Sequence, residues 1–203
     1  ILDHRSVRRA HIVSLSNGDL IALALGALAP ERVRSINLVA PSGWDTRTMN
    51  PQTRFGCRVP VISRLFGRSL RRRLAQRMRD HRAHLPARTP ESTHAIYTDA
   101  ANTVLNNPDF AQAAASQMGH MPTRAEFAQL LDAFAQQRLP TTLLHYTAER
   151  DSTPEGVAGY LEALTHAEHL HLDKGTHMGL LEHPKPLAEA LMATWALLSA
   201  SVD

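Results

Sequence analysis

Short apolar strands alternating with helical segments predict an α/β chain, with a mostly parallel sheet flanked by helices on both faces. Two observations carry this fold class. Residues 10–15, 35–40, 141–146 and 168–172 are apolar runs of strand length, and helical patterning fills much of the chain between them. Parallel strands need such crossovers, because a tight turn can join only antiparallel neighbours. The third observation is an interruption. Between Ser42 and Arg138 the alternation stops and helical segments dominate, broken by Pro60, Pro86, Pro90, Pro108 and Pro122, so this stretch reads as a helical insertion.

In chain order, Ile1 to Arg9 reads as the end of a helix and its connection into the first strand. Residues 10–15 then run into a turn at Ser16 and a long apolar helical stretch from Asp19 to Ala29. Pro30 to Arg34 closes that helix and leads to the second strand, residues 35–40. After the third strand, Thr153 is a candidate N-cap with Pro154 at the first helical position, and the helix continues to Leu164. The last helix, Pro186 to about Ala200, repeats Leu187, Leu191, Trp195 and Leu198 at helical spacing, a face for packing on the sheet. The expected division is a core segment over 1–41, a helical cap over 42–138 and a second core segment over 139–203.

The chemistry concentrates at Ser14-Leu15-Ser16-Asn17-Gly18. A strand that reverses sharply into a helix at a serine lifts the hydroxyl clear of the sheet, and small residues two before and two after let the backbone pass closely. Ser16 therefore reads as a nucleophile. Far downstream, Asp151 follows the third strand, and His177 lies in the loop Gly175-Thr176-His177 after the fourth. A serine hydroxyl becomes nucleophilic only when an imidazole removes its proton, and the imidazole needs a carboxylate on its other nitrogen.

This layout resembles the α/β-hydrolase superfamily, in which serine, acid and histidine occur in that chain order. The resemblance implies the roles of nucleophile, acid and base for Ser16, Asp151 and His177, with Glu149 and Asp173 as alternative acids and His183 as an alternative histidine. It implies an oxyanion donor at the backbone N–H of Asn17, and a second donor from a loop after an earlier strand. It further implies that the insertion is a lid, and that the serine branch, not the aspartate-nucleophile dehalogenases and epoxide hydrolases, is the relevant one. Ser14 and Asp19 stand where glycines are usual. Because four strands normally precede the serine, residues 1–203 are expected to be a carboxyl-terminal portion of the fold, needing an amino-terminal segment to complete its core. Met118, Met121 and Phe127 are candidates for lining an acyl pocket, at a spacing that core packing also produces.

Composition bounds the alternatives. With 43% hydrophobic and 20% charged residues the chain belongs with soluble globular proteins. No apolar run approaches the roughly 20 residues of a membrane-spanning helix. One cysteine, Cys57, excludes an internal disulfide framework and thiolate clusters, and the 12 histidines show no zinc-ligand spacing. No metal or cofactor is implied, and a cytoplasmic location is expected. Charge is uneven: residues 52–90 hold eleven arginines against one acid, Asp80. Such a run is commonly a solvated face; it also suits weak contact with an anionic membrane surface or attraction of acidic substrates, while no nucleic-acid motif accompanies it. The expected function is hydrolysis of a small acyl substrate, an ester or a relative, through a serine acyl-enzyme. The competing expectation is a non-catalytic ligand-binding protein of the same fold.

Overall fold

The computed structural model describes residues 2–41, 51–85, 89–149, 154–173 and 175–200. Among them, four strands form one parallel sheet in the order β1 (Ala10–Leu15), β2 (Val33–Val39), β3 (Thr141–Tyr146), β4 (Glu168–Leu172). Each strand is joined to the next through helix: α1 (Gly18–Leu28) follows β1, and α7 (Pro154–Ala163) follows β3. Between β2 and β3 lie α2 (Pro51–Arg58), α3 (Pro60–Ala83), α4 (Glu91–Asn106), α5 (Pro108–His120) and α6 (Arg124–Ala135). The chain ends in α8 (Gly179–Glu182) and α9 (Pro184–Ala200). Among the described residues no helix is long and apolar enough to cross a membrane.

The alternation of side chains along a strand divides the core in two. On one face Ile36, Leu38 and Leu143 pack with Leu23 of α1, Phe127, Leu131 and Phe134 of α6, and Tyr160 of α7. On the other, Val39, Leu144 and Tyr146 pack with Leu187, Leu191 and Trp195 of α9. The central strand β2 is buried along nearly its whole length, as a parallel strand covered on both faces requires.

The chain divides into two units, Ile1–Arg47 with Thr123–Asp203, and Thr48–Pro122. The expected insertion over 42–138 is therefore too long at its carboxyl end. Thr123 begins α6 with a capping box, its hydroxyl accepting from the Glu126 N–H while the Glu126 carboxylate accepts from the Thr123 N–H. Phe127, Leu131 and Phe134 then bury that helix in the sheet core, where Gly26 of α1 lets the ring of Phe134 approach so closely that a methyl group would clash. Within the helical unit, Ala75, Ala101 and Val104 form a small core with Leu74, Met78 and Leu105, and Cys57 is buried against Gly119.

Candidate active site

The site is assembled by strand register. Leu15 of β1 pairs with Val39 of β2, and the Ser16 N–H donates to the Val39 carbonyl at 3.1 Å, so Ser16 stands at the carboxyl edge of the sheet. Its φ of 54° is in the left-handed region that non-glycine residues seldom adopt. The cause is local: the chain must leave a strand and enter α1 within two residues, and the Asp19 N–H donates back to the Ser16 carbonyl at 3.1 Å. A strained serine at a strand-to-helix turn is the geometry of a nucleophile elbow. Asn17 caps α1 directly after it, at the positive end of the helix.

The acid and histidine come from neighbouring strands. Tyr146 of β3 is opposite Leu172 of β4; the Leu172 carbonyl accepts from the Thr147 N–H at 3.1 Å, extending the ladder by one residue, and the Glu149 N–H then donates to the Tyr146 carbonyl at 3.0 Å, turning the chain. His177 Nε2 lies 2.8 Å from Ser16 Oγ, and its Nδ1 lies 3.1 Å from Glu149 Oε2. A carboxylate only accepts, so Nδ1 carries the proton and donates to Glu149; Nε2 of the neutral ring then accepts from the Ser16 hydroxyl. The Glu149 carboxyl group is fully buried and the imidazole is 13% exposed. The acid in contact with His177 is thus Glu149, two residues before Asp151; Asp151 and Thr153 lie outside the described residues.

A second carboxylate holds the histidine loop. Glu182, buried in α8, accepts from the Thr176 N–H at 2.8 Å through Oε2 and from the Thr176 hydroxyl at 2.7 Å through Oε1. The same hydroxyl accepts from the Met178 N–H at 3.3 Å, so both neighbours of His177 are tied down. Gly175 adopts a φ of 120°, and a side chain there or at Gly179 would strike the ring of Tyr146. Tyr146 is the floor of the loop. Its buried hydroxyl has no hydrogen-bond partner among the described residues, and burial, then the charges of Glu182 and Glu149, push its pKa up to about 12. Glu182 and Tyr146 carried no sequence signal for this role, since their partners are fixed only by the loop's turn.

Other expected positions resolve differently. Asp19, standing where a glycine is usual, is buried, accepts from the Tyr160 hydroxyl of α7 and from the Leu20 N–H, and so ties the start of α1 to α7. Phe127, expected near an acyl pocket, is fully buried in the core, edge-to-face with Tyr160 at 5.7 Å between ring centres. Met118 and Met121 are half-buried residues of the helical unit. Among the described residues no group of three His, Cys, Asp or Glu side chains is arranged to hold a metal ion.

No protein-family model matches the chain, and no curated protein does. Solved structures do match. A thermophilic esterase from Thermogutta terrifontis, with malate bound, is 18% identical over 97% of this chain and 68% of its own, with a TM-score of 0.65. The enol-lactonase from Burkholderia xenovorans LB400 is 17% identical over 96% and 68%, with a TM-score of 0.66. The 2-hydroxy-6-oxo-6-phenylhexa-2,4-dienoate hydrolase from Rhodococcus sp. strain RHA1 is 19% identical over 96% and 66%, with a TM-score of 0.65. At these identities the likeness is one of fold: the chain has the α/β-hydrolase fold.

Proposed function

We propose that the protein is a serine hydrolase that cleaves an ester or a related acyl bond through an acyl-enzyme. The observation that carries this reading is the relay from Ser16 Oγ through His177 to Glu149, at 2.8 Å and 3.1 Å. Ser16 Oγ attacks the acyl carbon as Nε2 of His177 takes its proton. The Glu149 carboxylate stabilises the imidazolium and fixes the ring's tautomer. The Asn17 N–H receives charge that develops on the carbonyl oxygen. His177 then returns the proton to the leaving group, which departs. In the second half a water gives its proton to Nε2 and attacks the acyl carbon, and Ser16 is regenerated with release of the acid. Esterase and lactonase neighbours of the same fold support an acyl substrate.

The test is labelling with a fluorophosphonate probe together with turnover of a p-nitrophenyl ester. The wild-type protein should label, and Ser16→Ala should not. Glu149→Gln should lose about 10⁴-fold in kcat, the order expected when the acid of a triad becomes an amide, whereas Asp151→Asn should lose far less. If Asp151→Asn is the crippled variant, the acid assignment fails. If the wild type neither labels nor turns over, the ligand-binding alternative replaces the hydrolase.

A further inference from the structure

α3 carries eight arginines and one acid over 24 residues, yet these charges are not spread evenly around it. Its buried side is made of small or apolar residues, Ser63, Gly67, Leu74, Ala75 and Met78, packed within the helical unit. Beside that side, Val61, Leu65, Arg68, Arg72 and Arg79 fall at i, i+4, i+7, i+11 and i+18, along one helix line that the buried Ala75 interrupts at i+14. All five are exposed. At 1.5 Å per residue the line is about 27 Å long. Arg71 is half-buried.

The line has two chemically distinct ends. At the amino-terminal end Val61 is 67% exposed and Leu65 61%, with Ile62 exposed beside them. Gly56 of α2 sits against Ile62, and the residue before it, Phe55, is also 67% exposed. Beyond Leu65 the line carries the exposed Arg68, Arg72 and Arg79. A merely solvated face needs the charges and not four bare apolar side chains; a nucleic acid likewise has no use for the aliphatic residues.

We infer that this face of α3, with Phe55 and Ile62, is a docking surface for an anionic lipid bilayer. An apolar end enters the boundary between headgroups and acyl chains, and the arginines beyond it lie against lipid phosphates, to which guanidinium groups bind bidentately. Asp80, the one acid of α3, accepts from the Gln76 side chain at 2.8 Å.

Co-sedimentation of the full chain tests it, using vesicles of phosphatidylcholine alone and vesicles containing about one-third phosphatidylglycerol, the anionic lipid supplying the attraction. The protein should sediment with the anionic vesicles and dissociate as the screening length falls toward about 3 Å. The triple variant Arg68→Glu, Arg72→Glu, Arg79→Glu should bind at least about tenfold more weakly. The double variant Val61→Ser, Leu65→Ser, with every charge retained, should also bind several-fold more weakly. Binding to neither vesicle, or equally to both, overturns the inference. So does undiminished binding by the serine variant, since the face would then be one of charge alone, equally suited to poly(U) or an acidic protein.

Discussion

A buried carboxylate must earn its place, and Glu182 does so by fixing Thr176, the residue before His177. It touches no reacting atom, so it is a positioning residue. In Glu182→Gln the amide keeps one acceptor and turns a donor toward the other Thr176 donor, which costs about 1–3 kcal/mol for the group left unpaired. The histidine loop should loosen, and a displacement of about 1 Å is enough to lose on the order of 10²-fold in kcat. The expected signature is a fall in kcat and in labelling rate with little change in KM. Thr176→Val should share that signature and Thr176→Ser should escape it; equal behaviour of the two would remove the hydroxyl from the argument. Legibility at this scale follows from how local each determinant is. Ser16 stands directly after β1 and His177 in the loop after β4, where topology brings residues to one sheet edge, and that placement makes them readable. Glu149 was readable only as an alternative to Asp151, because the turn at Thr147 folds the chain back sooner than strand length implies. Glu182 was not readable at all.

Elements were legible by period and not by address. Phe127, Leu131 and Phe134 recur at helical spacing and announce an amphipathic helix, but the same pattern serves a lid or a sheet-packing helix. Tertiary contacts decide, and they put α6 in the core with Leu23 and Ile36. The consequence for Phe127 is measurable. Phe127→Ala should destabilise the protein by about 3–5 kcal/mol in urea unfolding, the range for emptying a buried phenylalanine site, while the folded fraction keeps its KM. A raised KM with unchanged stability would return Phe127 to a substrate pocket. α3 teaches the same lesson on its surface: the arginine run predicted a cationic helix, yet only burial separated Arg68 and Arg72 from Arg71.

At the scale of the molecule, both outer strands of the described sheet carry imidazoles that folding makes harder to protonate. On β1, His11 stacks on Trp195 at 4.9 Å between ring centres and shares a 2.7 Å hydrogen bond with the Ser35 hydroxyl; burial and then Arg34 lower its pKa. On β4, His169 lies 4.2 Å from His171, measured between ring centres, and His171 is 5.9 Å from His145 of β3. Burial lowers the His169 pKa, and His171 and His145 lower it further. The sign follows from proton counting. Unfolding restores both groups to about 6.5, so between that value and the lowered native ones the unfolded chain binds more protons, and stability falls as pH falls. The contribution is fully present above about pH 6.5 and is lost progressively below it. Thermal melts at about pH 7.5 and pH 5.5 bracket the window around that ordinary value. The wild type should lose melting temperature between them, and His11→Gln and His169→Gln should each lose less, the double variant least, because the amides cannot be protonated there. If the double variant loses as much as the wild type, these two histidines do not govern the acid limb, and the carboxylates alone must carry it.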